Sequence, residues 1–156
     1  MELNQNQKDA VAGAVNNQFI FSVTGSAGTG KSTVIKTIYE TLSSQGKRVS
    51  VVAPTGRAAN LLRTKMGYGE TIHKFLGYFS RDNGDSYIPR YTRENPITGL
   101  DTLIVDEASM VNREVWDNLL KALPDRMNVV LVGDANQLPP IETTPQESAF
   151  RLCLNK

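Results

Sequence analysis

The amino-acid sequence predicts an α/β fold, a parallel β-sheet with helices on both faces, plus an inserted β-hairpin. Four short runs rich in Val, Ile and Leu alternate with segments whose apolar residues recur at helical spacing. Strands that alternate with helices are joined by crossovers, which make the strands parallel and cover both faces of the sheet. Polar or glycine-rich residues follow each apolar run, so we expect the chemistry at the strand ends.

Length and composition describe an ordinary globular protein. At 156 residues, with 40% hydrophobic and 21% charged residues, the chain is long enough for one domain with a proper core. A net charge of +1 neither demands nor excludes a nucleic-acid partner, because a local basic groove can exist within a balanced total. The single cysteine, Cys153, argues against a disulfide framework and suits a reducing cytoplasm. No signal-peptide pattern or membrane-spanning run is present, so we expect no membrane partner.

Helices and strands alternate in the first half of the chain. A partial apolar stripe predicts the first helix, with Asn4 as its cap. Apolar residues at helical spacing predict the second helix, and Gly46 follows it as a stop signal. Pro54 interrupts the second strand. The predicted elements are a helix over 3–17, a strand from 19, a helix over 31–44, a strand over 48–53, a helix over 57–65 and a short helix or turn over 71–76.

The second half contains an insertion and the remaining strands. Residues 78–88 predict a β-hairpin with an Asn83-Gly84 turn, and we treat 77–100 as a segment inserted outside the main sheet. Pro89 and Pro96 make its continuation a loop or an edge. After it the pattern predicts a strand over 102–106, an amphipathic helix over 112–123 and a fourth strand over 128–133.

The turn after the first strand fits the phosphate-binding pattern G-x-x-x-x-G-K-[ST]. Glycines let backbone N–H groups curl around a diphosphate, and the following helix adds the positive end of its dipole. Lys31 is expected to reach the β- and γ-phosphates and Ser32 to bind Mg²⁺. A glycine-rich turn without a ligand is the alternative. The candidate nucleotide-binding residues are Gly25, Ser26, Ala27, Gly28, Thr29, Gly30, Lys31, Ser32 and Thr33.

The third strand ends in two acids, in the run Leu103-Ile104-Val105-Asp106-Glu107. An acid at the strand end can hold Mg²⁺, and its neighbour can orient and deprotonate the attacking water. A solvated loop is the alternative for an isolated pair of acids. The sequence contains neither an Asp-x-x-Gly after this strand nor an Asn-Lys-x-Asp motif, which argues against a GTPase.

Gln137 follows the fourth strand. In the doubly wound ATPase arrangement this strand lies between the first and the third, so its end faces the γ-phosphate. A neutral amide there can respond to the presence of that phosphate. Lys31, Asp106, Glu107 and Gln137 are therefore the candidate catalytic residues.

Taken together, these motifs resemble a superfamily-one DNA helicase of the RecD-like and Dda-like branch. The match runs from Leu3 to Ile141, nearly the whole chain. The matching stretches are Leu3-Asn4-x-x-Gln7 (Q motif), 25–32 (motif I), 52–59 (motif Ia), 71–74 (motif Ib), 105–110 (motif II) and Gly133-Asp134-x-x-Gln137-Leu138-Pro139-Pro140 (motif III).

The resemblance implies a RecA-like fold and an ATP-dependent helicase, in the 5′-to-3′ direction, with ATP and Mg²⁺ as cofactors. It implies that Gln7 reads the adenine, that Asp106 and Ser32 hold Mg²⁺, and that Gln137 couples the γ-phosphate to DNA. Residues expected under single-stranded DNA are Pro54, Thr55, Arg57, Thr71 and His73. Hydroxyl groups and arginine are ordinary phosphate contacts. For His73, a buried structural role is an equal alternative.

The inserted hairpin matches the position of the family's pin, the wedge that splits the duplex. Its aromatic residues can stack on a terminal base pair or pack the hairpin onto the domain. These residues are Tyr78, Phe79, Tyr87 and Tyr91.

Family members continue with a second motor domain that carries an arginine finger. We therefore expect residues 1–156 to be a single RecA-like first motor domain, of very low activity by itself. The alternatives are another kind of P-loop ATPase and a non-catalytic fragment that binds nucleotide or single-stranded DNA.

Overall fold

The structure is a computed structural model, and it describes residues 3, 5–16, 20–24, 30–81, 86–124 and 127–133. Its helices are α1 (Gln5–Asn16), α2 (Lys31–Ser44), α3 (Gly56–Met66), α4 (Ile72–Leu76) and α5 (Arg113–Ala122), with a 3₁₀ helix at Ala108–Met110. Its strands are β1 (Ile20–Thr24), β2 (Val49–Ala53), β3 (Glu70–Thr71), β4 (Phe79–Arg81), β5 (Ser86–Ile88), β6 (Thr102–Val105) and β7 (Asn128–Gly133).

Five of the strands form one parallel sheet in the order β1-β7-β6-β2-β3. Thr24 pairs with Gly133, and Val105 pairs with both Leu131 and Val52, so the strands end along a common edge. The predicted α/β class is confirmed, and so is the position of the fourth predicted strand between the first and the third. No helix within the described ranges is long and apolar enough to cross a membrane.

Helices cover both faces of the sheet and bury two separate cores. In β6, Leu103 and Val105 belong to the core under α4 and α5, whereas Ile104 belongs to the core under α1, α2 and α3. This alternation follows from the period of two in a strand. All four residues of β6 are buried, as expected for a parallel strand with a helix layer on each side.

Side-chain caps begin three of the helices close to the carboxyl edge of the sheet. The Thr55 hydroxyl accepts a hydrogen bond from the Ala58 N–H, Thr71 caps α4 in the same way, and the Asn112 side chain caps α5. Each cap satisfies an N–H group that the helix itself leaves unpaired. Thr71 is the last residue of β3 and Thr55 stands two residues after the end of β2, so the chain turns sharply from strand to helix at this edge.

Strands β4 and β5 pair antiparallel, with Phe79 opposite Ile88, and form the predicted hairpin. Its turn, residues 82–85, lies outside the described residues. The hairpin leaves from the end of α4 and returns to the same place, because the N–H groups of Arg90 and Tyr91 both donate to the Leu76 carbonyl at 2.9 and 3.3 Å. The rest of the inserted segment has no regular secondary structure, as its prolines predict.

The predicted bounds agree closely with the structure, and the helix at Lys31–Ser44 and the strand at Asn128–Gly133 agree at both ends. Two elements were missed. β3 has only two residues, and Ala108–Met110 forms a 3₁₀ turn where no element was expected. Neither is long enough to show a periodic apolar pattern.

Leu119→Ala tests the core beneath α5. The Leu119 side chain is fully buried, so its truncation is expected to lower the free energy of unfolding by about 2–5 kcal/mol. Leu61→Ala is the matched control, because Leu61 is 49% exposed on α3 and should lose less than about 1 kcal/mol. Urea unfolding followed by circular dichroism measures both. Equal losses would contradict the assignment of the core.

Candidate functional site

The candidate site lies along the carboxyl edge of the sheet, where β1, β2, β6 and β7 end together. Gly30 and α2 stand after β1, Thr55 after β2, and Asp106 and Glu107 after β6. This is the edge at which open parallel sheets bind their ligands.

Gly30 marks the start of α2 and is held in a conformation that suits glycine. Its φ is +80°, in the left-handed region, and a Cβ at this position would collide with the Nε2 of Gln7. The Gln7 amide donates to the Gly30 carbonyl at 3.4 Å. The structure therefore places Gln7 of α1 directly against the end of the predicted phosphate loop.

Lys31 and Ser32 are the first two residues of α2, and both are partly buried. The first turn of a helix presents backbone N–H groups and the positive end of the dipole, which together favour an anion. The Gly30 carbonyl accepts hydrogen bonds from the N–H groups of Thr33 and Val34 at 3.1 and 3.2 Å, so the hydrogen-bonding pattern of the helix begins at Gly30. Lys31 therefore projects from a fixed point beside the sheet edge.

The Asp106 carboxyl has a strongly raised pKa. Burial raises its pKa from 3.8 to about 6, and the neighbouring Glu107 carboxylate also raises it. The hydrogen bond from the Glu107 N–H to Asp106 Oδ1, at 2.9 Å, lowers the pKa, as do the charges of Lys31 and Lys65. The electrostatic effect of Lys31 shows that the structure brings the start of α2 close to the end of β6.

Glu107 has an unusual backbone. Its φ of 52° and ψ of 40° are left-handed, and among the described residues no other non-glycine residue has a positive φ. Such a conformation costs on the order of 1 kcal/mol and is concentrated at functional sites. The turn it makes leads directly into the 3₁₀ helix, whose Ala108 and Ser109 pack against Gly133 at the end of β7. The carboxylates of Asp106 and Glu107 therefore both follow the end of β6, in a turn that packs against the end of β7.

The chemistry of these residues fits a hydrated Mg²⁺ ion. One oxygen of Asp106 accepts the Glu107 N–H, which leaves the second oxygen as a ligand. A cation would offset the charge of a buried carboxylate whose pKa burial has raised. Within the described ranges no three His, Cys, Asp or Glu residues are clustered for metal binding.

The candidate DNA-binding residues lie further along the same edge. Thr55 and Arg57 are exposed at the start of α3, Pro54 is partly exposed before them, and Thr71 and His73 stand at the start of α4. The oxygens of Thr55 and Thr71 accept the capping N–H groups at 3.1 Å, and their hydroxyl protons remain available as donors.

His73 is exposed, so the alternative of a buried structural histidine is wrong. Its ring lies against that of Tyr78, with 4.6 Å between the ring centroids. Both residues line an open cleft of about 540 Å³ together with Asn112, Glu114 and Val115. His73 therefore faces solvent at the junction of α4 and α5.

The hairpin aromatics do not all behave alike. Tyr78 and Tyr91 pack against the core beneath α4 and α5, so they hold the insertion on the domain. A wedge role for these two is therefore not supported. The Tyr78 hydroxyl accepts a hydrogen bond from Asn118 Nδ2 at 2.7 Å, a contact across 40 residues that the sequence did not indicate. The Phe79 and Tyr87 side chains lie outside the described part of the structure.

Two parts of the predicted site lie outside the described residues: Gly25, Ser26, Ala27, Gly28 and Thr29, and Gln137. Asn4 and Cys153 also fall there. The structure brings together Gln7, Gly30, Lys31 and Asp106, with Glu107 beside them. Sequence reasoning missed the left-handed backbone of Glu107 and the charge of Lys65 near Asp106. Neither has a sequence pattern, since both depend on chain segments that meet only in the fold.

Comparison with known proteins agrees with this arrangement. A family model described as an AAA domain matches residues 7–143, and the chain belongs to this family. The ATP-dependent RecD2 DNA helicase of Deinococcus radiodurans is 40% identical over 123 residues, which is 77% of this chain and 16% of that protein. The ATP-dependent DNA helicase dda of enterobacteria phage T4 is 31% identical over 78% of this chain and 28% of its own length.

Solved structures give the same result for the fold. The crystal structure of the Pif1 helicase from Candida albicans matches 91% of this chain and 34% of that chain, with a TM-score of 0.65 and 28% identity. The predicted RecA-like fold and the resemblance to RecD-like and Dda-like superfamily-one helicases are thereby confirmed. The chain spans only 16% and 28% of the two curated relatives named above.

Asp106→Asn is expected to stabilise the metal-free domain near neutral pH. Because the pKa of Asp106 is raised in the folded state, the folded chain binds more protons than the unfolded chain between pH 3.8 and about 6. Above about pH 6, the ionised Asp106 carboxylate therefore lowers the free energy of unfolding by the full amount. This destabilisation disappears as the pH falls towards 3.8. The shift corresponds to at most about 3 kcal/mol, and solvent access should reduce this to about 1–2 kcal/mol.

Urea unfolding with a chelator, at pH 4 and pH 7.5, measures this difference. Glu94→Gln is the control, because it removes one acid from an exposed loop. A gain that is the same at both pH values would show that the substitution acts through packing and not through charge.

Proposed function

We propose that this chain is the ATP-binding motor domain of an ATP-dependent DNA helicase, in which ATP hydrolysis drives movement along single-stranded DNA. One observation carries the proposal: the start of α2, with Lys31, lies within electrostatic reach of Asp106 at the end of β6. A phosphate-binding helix beside paired acids is the arrangement that nucleotide hydrolysis requires. The names of the relatives, RecD2, dda and Pif1, support the choice of a helicase.

In the nucleotide site, the backbone of residues 25–30 and the Lys31 ammonium bind the phosphates, with Thr33 completing the loop. Ser32 and Asp106 hold Mg²⁺, which neutralises phosphate charge when bound. Glu107 accepts a proton from the water that attacks the γ-phosphorus atom, and the bond to the bridging oxygen of ADP breaks. Gln7 reads the adenine from its position against Gly30. Gln137 responds to the γ-phosphate.

In the DNA site, the strand crosses the starts of α3 and α4. The hydroxyl protons of Thr55 and Thr71 donate to phosphates, the Arg57 guanidinium pairs with another, and Pro54 and His73 contact the sugar and base. The exposure of Thr55, Arg57 and His73 at one edge supports this placement. The hairpin of β4 and β5 serves as the wedge that separates duplex strands.

The remaining parts of the proposal concern the whole protein. Residues 1–156 form one RecA-like domain, with 77–100 as its inserted hairpin, and they act with a second motor domain that supplies an arginine finger. The chain moves 5′ to 3′, and its location is the reducing cytoplasm. These points depend on the relatives and on the sequence patterns described above.

Lys31→Ala tests the nucleotide site. Loss of the ammonium is expected to abolish most of the calorimetric signal for Mg·ATP binding, because Lys31 is the main charged contact to the phosphates. Lys36→Ala is the matched control, since Lys36 lies on the same helix with an exposed side chain. If the Lys31→Ala and Lys36→Ala variants bind Mg·ATP with equal affinity, the assignment of the phosphate loop is wrong.

Turnover with and without oligo-dT, measured in the complete protein that contains this sequence, tests the motor function. Stimulation by oligo-dT that is lost in Glu107→Gln, while ATP binding is retained, is the result expected of a DNA-dependent ATPase. ATP turnover that is the same with and without oligo-dT would favour another kind of P-loop ATPase. Binding of ATP and DNA without any turnover would favour a non-catalytic binding module.

Arg57→Ala tests the DNA edge. Loss of one phosphate contact is expected to weaken binding alike for every single-stranded sequence and to flatten the log–log salt dependence by about 0.7. Lys47→Ala is the control. It removes one positive charge from the turn before β2, at the opposite end of that strand. Fluorescence anisotropy with labelled oligonucleotides at several salt concentrations measures the slope.

If Arg57→Ala and Lys47→Ala change the slope equally, the effect is one of total charge. The strand would then not follow the start of α3, and Arg57 would be an ordinary solvated residue.

A further inference from the structure

We propose that the hydrogen bond between Tyr78 and Asn118 acts as a strut. It fixes the root of the hairpin, the base formed by residues 77–78 and 90–91, to α5 and thereby makes the hairpin an effective wedge. Tyr78 is then a positioning residue for strand separation and not a residue that stacks on DNA. This inference deepens the proposed helicase function and depends on it.

Tyr78 is held from two sides immediately before β4 begins. Its hydroxyl accepts the hydrogen bond from Asn118 Nδ2 at 2.7 Å, and this contact is partly buried. Its ring lies against His73, with the two planes inclined by 39°. A short, partly buried hydrogen bond with ring packing beside it leaves the side chain little freedom. Tyr78 therefore cannot swing out to meet a base pair without breaking both contacts.

Asn118 is a firm point of attachment because α5 is anchored in the core. Val115, Trp116, Leu119 and Ala122 of this helix are all buried. The helix starts at Arg113, three residues after the 3₁₀ turn that follows Glu107. The strut therefore connects the hairpin to α5, the helix that follows the candidate catalytic residues Asp106 and Glu107 in the chain.

The other connections of the hairpin root lead to α4. Gly77 adopts a φ of 67°, and a Cβ at this position would lie 3.0 Å from the Cβ of Arg90, so the outgoing and returning chains pass in close contact. The Tyr78 N–H donates to the His73 carbonyl at 3.1 Å. α4 also carries Thr71 as its cap and His73 in its first turn. The hairpin and the proposed strand-binding residues thus share one short helix.

A wedge separates a duplex only if its root does not yield when the strand is pulled past it. The α4 connection holds the hairpin next to the strand, but α4 has five residues and is itself a small element. The Tyr78–Asn118 hydrogen bond adds the larger, buried α5 as a second support. Without it, part of each translocation step would bend the hairpin instead of opening a base pair.

The test uses the complete protein that contains this sequence, with the variants Tyr78→Phe and Asn118→Leu. Each removes one partner of the hydrogen bond and keeps the size of the side chain. Tyr91→Phe is the matched control, because Tyr91 packs on the same core at the returning end of the hairpin and its hydroxyl makes no hydrogen bond within the described residues. Unwinding of a forked duplex and ATP turnover stimulated by oligo-dT are measured side by side.

Both variants are expected to lower the unwinding rate about fivefold, the size that loss of one hydrogen bond gives. The stimulated ATP turnover should stay unchanged, and the double variant should be no worse than either single one. Unchanged unwinding would overturn the proposal. An equal fall in unwinding and turnover would also overturn it, since a merely structural role predicts that result.

Hydrogen exchange in the same protein separates this inference from the helicase function. The amides of 79–81 and 86–88 are expected to exchange about fivefold faster in both variants than in the parent and in Tyr91→Phe, whereas those of β6 should not change. If the parent unwinds no duplex, the helicase proposal fails and the wedge role fails with it. If exchange is unaltered, the strut does not exist, whatever the protein does.

Discussion

The burial of both faces of the parallel sheet is the constraint on which the rest of this structure depends. β6 and the core of β7 are closed to water on each side, so neither face can carry polar chemistry. Only the edge where the strands end remains available. Gly30, Thr55, Asp106 and Thr71 all stand at that edge because the chain must turn there from strand to helix. The layout of the site follows from how the core is built.

The same constraint creates a conflict at Asp106. A carboxylate at the end of a buried strand is only partly solvated, and its raised pKa shows that the folded chain holds its charge at a cost. Lys31, Lys65 and the Glu107 N–H reduce that cost without removing it. Glu107 adds a strained backbone to the same short turn. Such local costs are typical of functional sites, where ligand binding and not folding stability determines which residues are present.

Sequence patterns predicted most of the fold because its elements are long or strongly apolar. Helix α2 and strand β7 were predicted to the residue, since a buried strand and an amphipathic helix each leave a periodic trace. The position of Lys31 near Asp106 was expected, because both residues follow strands that end at the same edge. The contact of Gln7 with Gly30 was not expected, since the resemblance implied only that Gln7 reads the adenine. The bond between Tyr78 and Asn118 could not be expected. It joins residues 40 apart, and neither belongs to a motif. The exposure of His73 likewise depends on how α4 meets α5, which a single histidine in a sequence does not reveal.

The way the hairpin is attached has a consequence for how such domains can diverge. The chain leaves α4 directly after Leu76, and on its return the N–H groups of Arg90 and Tyr91 donate to the Leu76 carbonyl, so it departs and returns within a few ångströms. A segment with adjoining ends can lengthen or shorten without moving any strand of the main sheet, and the entropic cost of added length rises only slowly. The two strands of the hairpin therefore form a separate module, which is joined to the ATPase domain only where it leaves α4 and where Tyr78 contacts α5. Evolution, or a protein engineer, can exchange one hairpin for another of different length or stiffness while the motor beneath it stays the same.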